Sequence, residues 1–389
     1  MKVVIVGGGF AGVKTALMLA SKPGFEVVLI SVGQDFEYHG ALYRTATGRS
    51  PLEVVIPIPE ILAGASNIEF VSDKVIALNP KVKAVKGESG RIYQYDELVL
   101  SLGNEKNYFG IPGFAEYSHS MYTIADTTKL RCELVKLFSV SHRTIVRVVV
   151  VGAGASGVEL AGSLKEFSDL VAIRYGHRPK QVQVDLVEGS DRVLPLLSLK
   201  ASTKAYKRLI SLGVNVMLQK VVTKCAQNII SMADGDRAAD IIVWTAGSKT
   251  VDFYAKYPEI FELEHGKVKV DEYMRVPKAK DIYVLGDNAF TKYSGMAQTA
   301  LHDAKFVASN LVKFNNNPEM PLNKYRVSTP AYVVPIGKKW AVLQDKQKVR
   351  SGYYGWLVRR RADLYIFKNF EPYKRAVKTW REANKLANF

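Results

Sequence analysis

A chain of 389 residues with 48% hydrophobic content can bury two cores and a small third unit. Its two cysteines, Cys132 and Cys225, are too few for a disulfide framework and lack metal-ligand spacing. Both therefore read as structural thiols in a reducing compartment, and no metal is expected. The formal net charge of +17 calls for an anionic partner, which leaves nucleic acid, a phosphorylated ligand or an acidic lipid surface. The longest apolar candidate, residues 145–162, is broken by Arg147 and Glu159, and Met1-Lys2 leads straight into a strand, so neither a membrane span nor a secretory signal is expected.

In chain order, residues 2–6 form an apolar strand, Gly7 to Gly12 a turn of Gly-x-Gly-x-x-Gly spacing, and residues 13–20 the following helix. Gly7 permits the tight turn, Gly9 lets the backbone approach a pyrophosphate, and Gly12 lets the helix pack closely. The helix N-terminal N–H groups are then aimed at phosphate. The next strand, residues 26–30, leads to Ser31 where this fingerprint usually has an acid. Ser31 still offers one hydroxyl to a ribose, and Gln34 or Asp35 can reach around. Residues 68–76 and 81–85 read as a meander of short strands, closed by residues 95–103.

The pattern then recurs. Residues 123–138 read as a connecting helix, residues 145–151 as a second apolar strand, and Gly152, Gly154 and Gly157 repeat the glycine spacing. A helix over 158–167 and a strand over 182–187 follow, and this strand does end in an acid, Glu188. A carboxylate there accepts both ribose hydroxyls of NAD and repels the 2′-phosphate of NADP, which predicts a preference for NADH. Glu188 lies 36 residues after Gly152, against 24 from Gly7 to Ser31, and the excess is an elongated segment over 167–180. Its cations Arg174, His177, Arg178 and Lys180 read as a solvated face. Residues 240–247 give a strand and turn in which Gly247 allows close approach of backbone to a nucleotide. Residues 282–285 form another buried strand, stopped by Gly286-Asp287, and 296–314 a helix. The fold class is α/β, with two Rossmann-like dinucleotide-binding domains, the second inserted in the first: residues 1–113 and 256–326 for one, 114–255 for the other, and a small C-terminal region over 327–389.

Taken together, GGGFAG at Gly7, ALYRTATG at Ala41, YDELVLSLGN at Tyr95, NYFGIPG at Asn107, GAGASGVELAG at Gly152, IVWTAG at Ile242, IYVLGD at Ile282 and MAQTALHDA at Met296 resemble the type II NADH:quinone oxidoreductases. That resemblance covers most of the chain. It implies FAD as cofactor, NADH as substrate and a quinone as acceptor, with hydride transfer to the flavin, two-electron reduction of the quinone, and no proton pumping. For FAD it points to Gly7, Gly9, Phe10, Ala11, Gly12, Ser31, Gly103, Gly286, Asp287, Ala297 and Gln298. For NADH it points to Gly152, Gly154, Ser156, Gly157, Glu188 and Gly247. Glu159, otherwise readable as a first-turn carboxylate stabilised by its helix N-terminus, is implied as a proton donor on the quinone side. The family pattern Ala-Gln-x-Ala-x-Gln has His302 in place of its second glutamine, which keeps a hydrogen-bonding group that titrates near neutrality. Gln298 and His302 thus join Glu159 as catalytic candidates.

Residues 327–389 begin with strand-like segments at 331–336 and 340–343. From Ser351 onward there are nine Lys/Arg against three acids, and nine aromatics. Tyr373, Ala376, Val377, Trp380, Ala383 and Ala387 fall on one helical face, and Lys374, Arg375, Lys378, Arg381 and Lys385 on the other. Such a helix is expected to lie in the interface of an anionic membrane, making the protein peripheral on the cytoplasmic face of the cell membrane. The alternatives are packing of the stripe on its own domain or on a second subunit of a homodimer. Nucleic-acid binding has no helix-turn-helix, zinc or RNP signature behind it. Among rival activities, a sulfide:quinone oxidoreductase needs cysteines flanking the flavin, and a disulfide reductase needs a closely spaced cysteine pair. From a different class, a flavin-binding redox-sensing protein that has lost turnover would also fit Ser31 and His302.

Overall fold

The structure, a computed structural model, describes residues 1–139, 145–176 and 181–382. The chain divides into two compact units. One comprises Met1–Glu37, Val55–Glu105 and Lys249–Pro330, and the other Tyr38–Val54, Lys106–Ser248 and Ala331–Phe389.

The first unit is built on a six-stranded sheet in the spatial order Arg275–Val276, Ala279–Val284, Glu97–Leu100, Lys2–Val6, Glu26–Ser31, Ile68–Ser72. All pairings are parallel except that of the edge strand Arg275–Val276. Val3, Val4 and Ile5 are wholly buried, as expected for a parallel strand covered on both faces. The strands met first, second and third in sequence lie on one side of the sheet, and the later ones on the other. Their order therefore reverses between Lys2–Val6 and Glu97–Leu100, which opens a crevice at the carboxyl ends of those strands. The helices Phe10–Leu19 and Ala297–Asn316 pack against each other in this unit.

Two sequence expectations change here. Most of the segment 68–76 leaves the meander: Ile68–Ser72 joins the parallel sheet beside Glu26–Ser31, and the strand ends before Asp73. The antiparallel meander is instead Val75–Asn79, Ala84–Gly87 and Ile92–Gln94. Both segments are short and apolar, and a parallel partner distant in sequence leaves no local signal.

The second unit repeats the architecture with five parallel strands ordered His119–Ser120, Ile241–Trp244, Ile145–Val151, Gln181–Val187, Val214–Met217. Alternation along Ile145–Val151 feeds two cores. Val148 and Val150 join Leu130, Leu134, Leu164 and Phe167, whereas Val149 and Val151 join Phe114, Ile230 and Trp244. The helix after the glycine turn runs Ala155–Arg174, longer than the expected 158–167. His177, Arg178 and Lys180 lie outside the described residues.

The tail is an antiparallel sheet, Tyr332–Pro335, Ala341–Asp345 and Lys348–Gly352, followed by the helices Tyr353–Phe370 and Tyr373–Glu382. Val334, Ile336 and Val342 enter the same core as Val158 and Leu160. This shared core is why residues 331–389 belong to the second unit, whereas the sequence reading set 327–389 apart. Residues 38–54, read as part of the 1–113 segment, group there as well.

On the helix Tyr373–Glu382 part of the apolar stripe packs within the protein. Ala376 is wholly buried, Trp380 donates from Nε1 to the Arg360 carbonyl at 2.7 Å, and the Arg360 guanidinium lies 4.4 Å over the Trp380 ring. Val377 and Trp380 are half-buried and Tyr373 is 64% exposed, so the stripe is seated on the preceding helix only in part, where burial avoids the cost of leaving apolar surface in water. Ala383, Lys385 and Ala387 lie outside the described residues. Among the described residues no helix is long and apolar enough to cross a membrane.

Candidate functional site

Each switch point holds a glycine cradle, and the two are built alike. Gly7 has φ +120°, and a Cβ there would lie 2.0 Å from the Ser101 carbonyl oxygen at the end of the neighbouring strand. Gly152 has φ +101°, and its Cβ would meet Ala246 at 2.6 Å in the equivalent place. A Cβ on Gly12 or Gly157 would lie 1.9 Å from the carbonyl oxygen of Gly7 or Gly152 respectively. By contrast, a Cβ on Gly9 or Gly154 meets no atom within 4 Å. The middle glycine alone faces open space, which a side chain would fill and a pyrophosphate can take. These observations fit a dinucleotide at both turns.

The first helical residues behind each turn have N–H groups without intrahelical partners. Phe10 and Ala11 supply them in the first unit, where the Phe10 ring itself packs edge-on against Phe36 at 4.9 Å and belongs to the core. In the second unit Ala155 and the exposed Ser156 do so. Two hydroxyls missed in the sequence brace the cradles. Ser101 Oγ donates to the Val6 carbonyl at 3.1 Å, and Thr245 Oγ1 to those of Val151 and Gly152 at 2.8 and 3.0 Å. Each sits just past the strand across the switch point, so only the three-dimensional pairing reveals its role.

Ser31 ends the second strand of the first unit and is buried, with its Oγ 2.3 Å from where a Cβ on Gly8 would stand. Glu188 follows the equivalent strand of the second unit. It accepts from Ala153 N at 2.6 Å and from the backbone N–H and hydroxyl of Ser190 at 2.8 Å each. These bonds hold the carboxylate against the turn while leaving lone pairs for sugar hydroxyls. At Gly247 a Cβ would meet the Phe109 ring at 2.7 Å, so glycine there makes room for an aromatic side chain.

At the end of Ala279–Val284, Gly286, Asp287 and Asn288 form a short turn. Asn288 is wholly buried and clasps Gly103, accepting from its N–H at 2.9 Å and donating to its carbonyl at 2.5 Å. Asp287 is raised above the usual carboxylate range by burial, against the opposing pull of Lys267. Asn104 Nδ2 donates to it at 3.3 Å. Behind it the buried Asp303 accepts from Gly286 N at 3.1 Å and Tyr325 OH at 2.6 Å, and burial pushes its carboxyl up to about 6. Asn288 and Asp303 carry no motif of their own, and only this turn shows what they do. Ala297 and Gln298 begin the helix Ala297–Asn316, with Gln298 exposed, and His302 sits one turn on. His302 Nε2 donates to the Arg326 carbonyl at 2.8 Å, and its ring packs 5.4 Å from Tyr325.

Glu159 lies in the second turn of Ala155–Arg174, beyond the helix N-terminus, and its partner is a cation. Arg359, from the tail helix Tyr353–Phe370, reaches Glu159 Oε1 at 3.3 Å. The same guanidinium bonds Asp363 from Nε at 3.0 Å, Val333 O at 3.2 Å and the Gly40 carbonyl. Asp363 also accepts from Tyr38 OH at 2.9 Å and Arg44 Nη2 at 2.6 Å. Burial drives Glu159 up to about 7, with Arg359 and then Arg44 acting against the shift. Burial acts on Asp363 too, but its two guanidiniums and the Tyr38 hydroxyl outweigh it and hold the carboxyl below its ordinary range. Asp363 is thus the fixed anion and Glu159 the carboxyl poised near neutrality. Glu159 and His302 belong to different units.

Cys132 is exposed on the helix Ile124–Ser139, and Cys225 is buried in Val222–Ala226, where burial raises its thiol to about 11. Both belong to the second unit.

Two cradles in one chain define a protein that handles two dinucleotides. A model of the pyridine nucleotide-disulphide oxidoreductase family matches residues 1–304. The type II NADH:quinone oxidoreductase Ndh of Mycobacterium tuberculosis is 30% identical over 385 residues, covering 92% of this chain and 82% of that protein. The type II NADH:quinone oxidoreductase of Staphylococcus saprophyticus is 26% identical over 304 residues, covering 74% of each. The chain belongs to the pyridine nucleotide-disulphide oxidoreductases and, within them, to the type II NADH:quinone oxidoreductases. In fold it is similar to NDH2 of Plasmodium falciparum solved with NADH, with a TM-score of 0.88, 16% identity, and coverage of 98% of this chain and 97% of that one. The sulfide:quinone oxidoreductase of Aquifex aeolicus shares the fold at a TM-score of 0.78 and 20% identity, covering 95% and 91%.

Proposed function

We propose that this chain oxidises NADH through bound FAD and passes two electrons to a quinone at a membrane surface, without pumping protons. The observation that carries the assignment is the pair of glycine cradles, each at a topological switch point and each with open space only over its middle glycine. The bound flavin supplies the redox chemistry, accepting a hydride from the nicotinamide and giving two electrons to the quinone.

The chain's own residues bind and orient. In the first unit Gly7, Gly9 and Gly12, with the N–H groups of Phe10 and Ala11, receive the FAD pyrophosphate, and Ser31 bonds its ribose. Asp287, placed by Gly286 and Asn288, takes sugar-chain hydroxyls. Gly103, whose N–H Asn288 already takes, lets the backbone pass close to the ring, and the helix start at Ala297 and Gln298 offers it backbone N–H groups. In the second unit Gly152, Gly154, Ser156 and Gly157 receive the NADH pyrophosphate, and Glu188 its ribose hydroxyls. Glu159 holds a proton for the quinone at a carboxyl poised near neutrality, and His302, whose Nε2 is committed to Arg326, offers Nδ1.

Membrane attachment is supported by the outer face of Tyr353–Phe370, where Tyr353, Tyr354, Leu357 and Tyr365 are exposed alongside Arg361 and Lys368. Lys374, Lys378 and Arg381 are exposed on the next helix. Aromatic rings interleaved with cations suit the headgroup layer, and the cytoplasmic leaflet is the anionic one.

Anaerobic titration of the purified yellow protein tests the activity. NADH should bleach the flavin at lower concentration than NADPH, sulfide should leave it oxidised, and a soluble quinone should restore the colour. Bleaching by sulfide alone, or none by NADH, would overturn the reading.

A further inference from the structure

Early in the second unit, Phe109 carries an aromatic ring that the core does not use. The Ile111 N–H donates to the Tyr108 carbonyl at 2.9 Å and closes a turn whose two central residues, Phe109 and Gly110, have φ +52° and +70°. Positive φ at both positions is the pattern of a type I′ turn, which glycine, asparagine and aspartate fill readily. A bulky phenylalanine held there is strained. The turn also leaves its ring 61% exposed, whereas Phe114, a little further along, is wholly buried in one core with Trp244. Packing in the core therefore offsets neither the backbone strain nor the exposed apolar surface.

The turn is fastened to the end of the strand Ile241–Trp244. Trp244 Nε1 donates to the Asn107 carbonyl at 3.0 Å, the Asn107 N–H to the Gly247 carbonyl at 3.2 Å, and the Phe109 N–H to Asn107 Oδ1 at 2.8 Å. The ring then rests on Gly247, its centroid 6.2 Å from that of Trp244. That strand end is one wall of the second nucleotide crevice, because Thr245 braces the glycine turn and Ala246 is what a Cβ on Gly152 would strike. Glu188 stands on the other side, since Gln181–Val187 and Ile241–Trp244 flank the two edges of Ile145–Val151. A dinucleotide whose pyrophosphate sits over Gly154 spans the switch point. With its adenosine ribose at Glu188, its nicotinamide half runs toward residues 244–247, and there it meets Phe109.

We propose that Phe109 is a contact for the nicotinamide half of NADH, its ring giving the apolar face on which that half packs. The inference rests on the assignment of NADH to the second cradle. An aromatic face attracts a flat heterocycle in an offset stack, and the contact removes apolar surface of both from water. Backbone strain of this kind collects at ligand contacts, where it holds a side chain in a pose that packing alone would not select. Gly247 serves the same end, since any side chain there would push the ring away from the strand end.

The test uses the FAD-loaded full chain and the variants Phe109→Asn and Phe109→Gly, which remove the ring and suit a left-handed turn, beside Phe109→Tyr, which keeps the aromatic face. Three quantities are measured: the KM for NADH, the melting temperature, and inhibition by ADP-ribose, which has the adenosine and both phosphates but no nicotinamide. Phe109→Asn and Phe109→Gly should raise the KM for NADH about tenfold while leaving inhibition by ADP-ribose near wild type, and Phe109→Tyr should restore the KM. Phe109→Asn should melt near or above wild type, because the turn is relieved of strain. A ring that only fills space over Gly247 would instead give a lower melting temperature with KM unchanged, and that result, or equal weakening of NADH and ADP-ribose, would overturn the inference. Gly154→Val separates the contact from the assignment beneath it. If that variant weakens both ligands while Phe109→Asn weakens neither, the cradle keeps NADH and the Phe109 contact falls; if Gly154→Val weakens neither, the contact falls together with the assignment.

Discussion

Glu159 and Asp363 share two guanidiniums unequally, and this inequality gives each carboxylate a different task. Asp363 receives contacts of 2.6, 2.9 and 3.0 Å, whereas Glu159 has one of 3.3 Å. Quinone reduction should therefore show a pH limb near 7 that Glu159→Gln removes. Arg359→Gln takes a cation from Glu159 and should move the limb to higher pH, with Arg359→Lys restoring it. Asp363→Asn takes away an anion and should move it to lower pH, while costing about 3–5 kcal/mol of stability by stranding two buried guanidiniums. Steady-state rates across pH with a soluble quinone, alongside denaturant melts, decide the matter. Limbs that shift in the same direction would show that Glu159 is not the group being titrated. Stability carries the same signature. A carboxyl raised from 4.5 to about 7 by folding adds stability that is full below 4.5 and is lost as pH rises through about 7, so Glu159→Gln should flatten that slope.

The glycine turns show how one element serves two ends. Their first and third glycines serve the fold, because any Cβ there collides with backbone, and their middle glycine serves the ligand. Gly154→Val should leave flavin content and melting temperature near wild type while raising the KM for NADH by tenfold or more. Gly157→Ala drives a Cβ to 1.9 Å from the Gly152 carbonyl oxygen and should cost about 1–3 kcal/mol of stability. Flavin absorbance, thermal melts and NADH kinetics on the two variants separate these roles, and equal destabilisation by both would contradict the division. The tail helix Tyr373–Glu382 makes a similar point from its pattern. Its stripe is legible as amphipathic, but periodicity cannot say whether the apolar side meets lipid or protein, and the structure seats Ala376 and Trp380 on protein while leaving Tyr373 exposed.

Across the whole molecule, a net charge of +17 supports the proposed attachment to an anionic bilayer, and salt tests it. Binding to phosphatidylglycerol vesicles should weaken several-fold between about 0.01 and 0.15 M salt, as the Debye length contracts from about 30 to about 8 Å. Cosedimentation that does not change with salt would show that apolar insertion, rather than charge, holds the protein there.

The two nucleotide turns, the strands that feed them and the acid at Glu188 were legible in the sequence, because their signals are local: a glycine spacing, an apolar run, a residue at a strand end. The family followed from the same motifs. Ser101, Thr245, Asn288, Asp303, Arg359 and Asp363 were not legible, since each acts on a partner brought near only by sheet order or by the return of the tail. The placement of residues 38–54 and 331–389 in the second unit was hidden for the same reason. Sequence alone determined that this protein binds two dinucleotides, because backbone conformation and close approach to phosphate demand glycine at fixed intervals. Only tertiary structure decided how Glu159 is tuned, because the electrostatic balance at a buried carboxyl depends on charges that are 200 residues away in the chain and a few ångströms away in space.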